Sequence, residues 1–245
     1  MTKKKISEWF DEELATIIGN KIRDVYPSFD TKGYYTQIKK ECPQKTYSQR
    51  VLLHAQTLQK FLPKPYTQAL KIVVAILGPE NPNETGMFTE YYWVLPLAKF
   101  VEVYGLNHVD ISLDAIEEIT KRSTGEYAIR PFIVTYPRIV LERCEMWAKS
   151  DNFHLRRLAS EGLRPKLPWA KKLTLFIENP TPVFRILSLL LDDEILFVRR
   201  SVANCLADYL KVHPTYAWPF VKKLQTSKKP ERKWIYTHAT RAVKN

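Results

Sequence analysis

The chain has 245 residues, 45% apolar and 26% charged, a composition that folds into one large domain or two small ones. Its 38 lysines and arginines outnumber 26 acidic residues by 12, which favours a polyanionic partner, either nucleic acid or an anionic membrane face. Seven glycines, no two within six residues of each other, exclude the glycine-rich phosphate loops, and three distant cysteines exclude a disulfide framework or a CxxC metal site.

The elements are helical from end to end. Over Ile6–Gly19 the apolar residues Ile6, Phe10, Leu14, Ile17 and Ile18 recur at three- and four-residue steps. The same stripe predicts helices over Tyr47–Phe61, Tyr66–Leu77, Phe88–Tyr104, Val109–Lys121, Glu126–Tyr136, Arg138–Lys149 and Asn152–Leu163. It continues over Trp169–Ile177, Pro182–Leu191, Glu194–Val212, Tyr216–Leu224 and Arg232–Val243. Proline corners such as Gly78-Pro-Glu-Asn-Pro-Asn83 and Glu178-Asn-Pro-Thr-Pro182 separate them. No stretch alternates as a strand does. The expected fold is all-α.

Glu8, Asp11, Glu12 and Glu13 stand where a signal peptide would be apolar, and no apolar run approaches the ~18–20 residues of a membrane span. The histidines never fall at helical zinc-binding spacings. A reduced, cytoplasmic protein is expected, without metal, cofactor or membrane contact.

A repeat lies within the pattern. Leu155-Arg-Arg-Leu-Ala-Ser-Glu-Gly-Leu163 aligns with Val198-Arg-Arg-Ser-Val-Ala-Asn-Cys-Leu206, sharing the arginine pair and the final leucine, 43 residues apart. That period fits HEAT or armadillo helix pairs and predicts an α-solenoid, with a fainter copy from Trp234 and an earlier one opened by Glu126–Pro131. The basic excess sits in the same half. Residues 138–172 hold nine basic and four acidic side chains, and residues 214–245 hold eight basic against Glu231 alone. A nucleic-acid-facing groove is the favoured reading; a merely solvated surface is the alternative.

Helical phase puts Arg157, Glu161 and Arg164 on one stripe and Arg200, Asn204 and Asp208 on its counterpart one repeat later. Arginines that grip phosphates, with carboxylates that address a cation, would give this mixture. Ordinary i,i+4 ion pairs would give it too. Arg164-Pro-Lys-Leu-Pro-Trp169 is a rigid corner in which Pro168 is expected to set the first turn of the next helix with Trp169 inside it. That ring is either a presented aromatic or core. Ser123-Thr-Gly-Glu126 fits a capping box, and Arg130 at i+4 is placed to pair with Glu126.

Residues Asn152–Ala170, with the run His154-Leu-Arg-Arg-Leu-Ala-Ser-Glu-Gly-Leu-Arg-Pro-Lys-Leu-Pro-Trp169, closely resemble the signature of the AlkC branch of bacterial alkylpurine DNA glycosylases. Thr124-Gly-Glu-Tyr-Ala-Ile-Arg-Pro-Phe132 and Arg199-Arg-Ser-Val-Ala-Asn-Cys-Leu-Ala-Asp208 resemble two further blocks, in the right order. The resemblance implies a HEAT-like repeat α-solenoid over residues 1–245, one domain with a concave basic face. It also implies that N3-alkylated bases are removed without being flipped from the helix. Its catalytic positions fall on Glu126, Glu161, Trp169 and Asp208. DNA contacts are expected from Arg130, Arg156, Arg157, Arg164, Lys166, Arg199, Arg200 and Asn204. The expected partner is double-stranded DNA containing alkylated bases, bound by a monomer at the bacterial nucleoid. The immunoglobulin-like domain that many AlkC-type proteins carry at the C-terminus is not expected. Two other readings stay open: a non-catalytic repeat protein that binds damaged or branched DNA, and a protein-binding scaffold.

Overall fold

The computed structural model describes residues 4–242, and among them every regular element is helical. The helices fall into two compact units, Met1–Ala128 and Ile129–Asn245. Among the described residues no helix is long and apolar enough to cross a membrane.

The first unit holds α1 (Glu12–Val25), α2 (Thr31–Glu41), α3 (Tyr47–Phe61), α4 (Tyr66–Ala75), α5 (Phe88–Tyr91), α6 (Leu95–Tyr104) and α7 (Val109–Thr120). The stripe that starts at Ile6 is a single 3-10 turn, Ile6–Trp9, followed by a fresh start at Glu12. Asp11 dictates this, since its carboxylate accepts hydrogen bonds from the amides of Glu13 and Leu14 at 3.0 and 3.4 Å and so caps a helix there. That helix runs on through Gly19, where a Cβ would stand 2.8 Å from the Thr31 methyl; the glycine lets α2 approach. Helix α2 itself was not expected. The predicted helix Phe88–Tyr104 is also divided, into α5, a 3-10 turn Tyr92–Val94 and α6. Pro96 lies in the first turn of α6, where its missing N–H does no harm, and cannot lie further in.

The second unit holds α8 (Arg130–Thr135), α9 (Pro137–Trp147), α10 (Phe153–Glu161), α11 (Thr174–Glu178), α12 (Thr181–Leu189), α13 (Leu196–Val212), α14 (Pro214–Gln225) and α15 (Pro230–Thr240). Here the repeat is real in three dimensions. Arg156 Nη1 donates to the carbonyls of Ser150 and Asp151 at 3.0 and 2.9 Å, and Arg199 Nη1 donates to those of Asp193 and Glu194 at 3.0 and 2.9 Å. Both arginines thus reach back six and five residues to hold the turn that precedes their own helix. Leu155, Leu158 and Ala159 of α10, with Val198, Val202 and Leu206 of α13, are buried. The turn between α12 and α13 ties both neighbours: Asp193 receives Arg156 at 2.6 and 3.2 Å, and Asp192 receives Arg232 at 2.5 and 2.8 Å. Three expected elements are shorter than the sequence implies, since Glu126–Tyr136 is helical only as α8, Trp169–Ile177 only as α11 and Arg232–Val243 only within α15. Val243 lies outside the described residues.

Candidate active site

Helix α10 ends at Glu161, and the chain turns through Gly162 and Leu163 to Arg164. Arg164 joins two carboxylates. Its Nη1 donates to Glu161 Oε1 at 2.8 Å, while Nε and Nη2 donate to the two oxygens of Asp208, on α13, at 2.8 and 3.3 Å. The other oxygen of Glu161 accepts the Ser201 hydroxyl at 2.7 Å, and Ser201 is itself 2.6 Å from Ser160. Arg157 completes the ring, with Nη2 at 3.7 Å from Glu161 and its guanidinium 5.1 Å over the Phe197 ring. Glu161 is 6% exposed. The stripe foreseen on an open helix face is therefore a buried ionic network, in which each charge has an opposite partner or a hydroxyl.

Its two carboxyls are shifted in opposite directions. Burial works against the charged form of Glu161, but Arg157 and Arg164 and the hydrogen bond from Ser201 outweigh it and hold the carboxyl below its usual range. Asp208 moves the other way. Burial raises it, and the neighbouring Glu161 charge adds to that, beyond what Arg164 recovers. The two carboxyls of one network are thus shifted in opposite directions by their surroundings.

Trp169 stands next to this network on the loop that Arg164 begins. It is not in a helix. Its φ of 62° is left-handed, a region that side chains other than glycine rarely occupy, and the residue is 92% exposed. Pro165 and Leu167 are buried beneath, Ala170 N–H donates to Leu167 O at 3.2 Å, and Leu173 N–H donates to Pro165 O at 3.2 Å. Pro168 therefore shapes a tight projecting turn instead of opening α11. The core alternative for this ring is overturned.

Glu126 lies in the first unit. The capping box expected for it has no helix to open there: the Ser123 amide donates to Ile119 O at 2.9 Å, and residues 126–129 form a turn before α8. A Cβ on Gly125 would lie 2.5 Å from Thr120 Oγ1 and 2.8 Å from the Ile116 methyl, so this glycine lets the turn press onto α7 and buries Glu126 beside it. Burial and the Glu126 charge together raise the pKa of Tyr47 at the start of α3.

The expected DNA contacts divide. Arg200 and Lys166 are exposed, and Asn204 is half-buried. Arg156 and Arg199 are corrected: they hold the carbonyls of the preceding turns, Arg156 also grips Asp193, and Arg199 lies 5.7 Å over Trp234. Arg164 is corrected as well, since its donors are taken up by Glu161 and Asp208. So is Arg130, 6% exposed, which donates to the carbonyls of Gly162, Arg164 and Lys171. Arg157 is 16% exposed in its side chain and turned toward Glu161. Ser160 and Ser201 were missed. The available signal was a serine on the apolar face of each repeat helix, where only a hydrogen-bonded hydroxyl is tolerated. Among the described residues no cluster of three His, Cys, Asp or Glu side chains could hold a metal.

The family model of the DNA alkylation repair enzymes matches residues 122–242. The uncharacterized protein YhaZ of Bacillus subtilis strain 168 is 35% identical over 239 residues, which are 97% of this chain and 64% of that one. Among solved structures, the Pseudomonas fluorescens alkylpurine DNA glycosylase AlkC, bound to DNA containing an abasic site analog, superposes with a TM-score of 0.87 at 31% identity. That match covers 99% of this chain and 65% of AlkC. The chain thus spans just under two thirds of the length of both relatives. The helical-repeat fold is common to this chain and AlkC. The chain is thus similar to the DNA alkylation repair enzymes over residues 122–242 and to AlkC over nearly its whole length.

Proposed function

We propose that the protein is a DNA glycosylase that hydrolyses the N-glycosidic bond of cationic N3-alkylated bases in double-stranded DNA, without flipping the base. The observation that carries the reading is Arg164 bridging Glu161 and Asp208, with the two carboxyls shifted in opposite directions, at the root of a loop that projects Trp169.

The chemistry follows from charge. An N3-methylated adenine carries a positive charge, so its glycosidic bond is weak and the base leaves readily. As the bond stretches, the charge passes to the deoxyribose. Fixed carboxylates beside the sugar stabilise that state as oxyanion-hole donors stabilise an anion, with the sign reversed; one such group is typically worth ~2.7–4 kcal/mol. Glu161, held ionised, is assigned this electrostatic role. Asp208, whose carboxyl is shifted toward the protonated form, is assigned the proton of the attacking water. The exposed indole of Trp169 offers its face to the cationic base, worth roughly 0.5–2 kcal/mol. Glu126 is the fourth catalytic position of this reading. Arg200, Lys166 and Asn204 supply the phosphate contacts. This reading takes the protein to act as a monomer in the cytoplasm, on the nucleoid.

A second reading has one observation in its favour. Glu161, Arg164 and Asp208 already satisfy one another, as a purely structural ion-pair network does, and a non-catalytic protein that binds damaged DNA would need no more. The deciding experiment incubates the protein with methylated duplex DNA and assays the soluble fraction by chromatography. Release of 3-methyladenine supports the glycosylase; retention of the base with intact DNA binding supports the second reading.

A further inference from the structure

Arg130 was expected on the DNA, and the structure turns it the other way. It is the first residue of α8 and is buried among the apolar residues Ile129, Phe132 and Ile133. A guanidinium so placed needs acceptors, and three of them lie in one short stretch of chain. Nη1 donates to the carbonyls of Gly162 and Arg164 at 3.3 and 3.0 Å, and Nη2 donates to that of Lys171. Gly162 and Arg164 lie where α10 ends, where carbonyls lack helical partners and the helix dipole favours a cation. Lys171 lies on the far side of the Trp169 turn. One planar fork thus pinches together the two strands of chain that lead to and from Trp169.

Trp169 requires such a clamp. A tryptophan with φ of 62° and 92% exposure holds a strained backbone conformation and gains almost nothing from burial. It persists only where the surroundings over-determine it. Inside the loop Ala170 N–H donates to Leu167 O and Leu173 N–H to Pro165 O, both at 3.2 Å. The same Arg164 whose carbonyl Arg130 holds carries the side chain that bridges Glu161 and Asp208.

We propose that Arg130 is a positioning residue: it closes the neck of the Trp169 loop and fixes the indole relative to the Glu161–Arg164–Asp208 network. This rests on the glycosylase reading for its effect on excision, whereas the clamp itself can be tested without it. Lysine retains the charge at this position but cannot bridge both strands, because an ammonium is a point donor and a guanidinium a fork.

The test uses Arg130→Lys and Arg130→Met, each alone and combined with Trp169→Ala. Single-turnover release of 3-methyladenine is measured at increasing protein concentration. Misplacing the indole should lower the rate at saturation by no more than the roughly 2–30-fold that the ring itself contributes, and leave the half-saturating concentration and its salt dependence unchanged. In the Trp169→Ala background, either Arg130 substitution should add less than about twofold, since both act through one ring. Limited trypsin digestion, mapped by mass spectrometry, should show cleavage after Lys166 or Lys171 accelerating severalfold in both Arg130 variants, with other sites unchanged. Multiplicative losses in the double variants would overturn the proposal, as would trypsin resistance equal to wild type. So would a salt slope flattened by about one unit, which marks a phosphate contact. If the wild type releases no base, the glycosylase reading fails and the digestion pattern alone decides the clamp. If Arg130→Met does not fold, Arg130→Lys carries the same comparisons.

Discussion

Ser201 donates its hydroxyl to Glu161 Oε2 at 2.7 Å, from the helix that also carries Asp208. The bond stabilises the ionised form of Glu161 and is one of the causes that hold its pKa below the usual range. Removing it by Ser201→Ala should therefore raise the Glu161 pKa and move the acid limb of the excision profile to higher pH. At neutral pH Glu161 is still ionised, and the rate should stay within a few-fold of wild type. Glu161→Gln should instead lower the single-turnover rate by about 10² at every pH. Because Glu161 is buried against two arginines, Glu161→Gln should also lower the melting temperature, which an exposed stripe position would not have done. An unmoved acid limb in Ser201→Ala would remove Glu161 from the chemistry.

Arg157 and Arg200 occupy equivalent positions in the 43-residue repeat, and the sequence gives no reason to treat them differently. The structure does. Arg157 is turned onto Glu161 and Phe197, whereas Arg200 is exposed. A plot of log K against log salt for duplex DNA should therefore flatten by about 0.9 in Arg200→Ala. Arg157→Ala should keep the wild-type slope, because no counterion is released by a group that does not meet a phosphate. Equal flattening in both would show that the network opens when DNA binds.

Much of this molecule was legible before any coordinates. The 3.6-residue stripe located most helices, and the repeat put Glu161 and Asp208 on matching stripes of two successive repeat helices. Helix α2 escaped because Tyr34 and Ile38 are its only buried anchors, set among three lysines, a glutamine and a glutamate. The arginines were misjudged for a different reason. A sequence shows that an arginine is charged but not which carbonyls a turn leaves without partners, and Arg130, Arg156 and Arg199 are held by such carbonyls. Trp169 was misplaced because a proline before a tryptophan reads as a helix start, and only tertiary contacts reveal the left-handed turn.

Asp192 offers a test of the inter-repeat ties. Hydrogen bonds from Arg232, helped by Lys229, bring its pKa to about 2 against a slight opposing effect of burial. A carboxyl whose folded pKa is depressed stabilises the fold above its unfolded value of ~3.9, and that contribution is lost as pH falls toward the folded one. Thermal unfolding followed from pH 5 down to pH 2 should therefore show a drop in the wild type that is shallower in Asp192→Asn. Parallel curves for the two proteins would mean that this bridge contributes nothing in solution, as holds for many exposed ion pairs.

Trp169 separates stability from activity. Its side chain is almost wholly in solvent and its backbone is left-handed, so the fold gains little from the ring and is strained by any Cβ at that position. Glycine adopts this φ freely, at the cost of a more flexible unfolded chain. Trp169→Gly should therefore melt at or above the temperature of Trp169→Ala, and both should lie within a few degrees of wild type. Excision should fall in both, by about 2–30-fold if the ring contributes the roughly 0.5–2 kcal/mol of a cation–aromatic contact. The salt slope of DNA binding should not change, since an aromatic face releases no counterions. A large drop in melting temperature for both variants would mean that the indole packs in solution, and the loop would then be part of the core. Full excision activity in a stable Trp169→Ala protein would leave the projecting ring without a role in the chemistry, and the carboxylates would have to act alone.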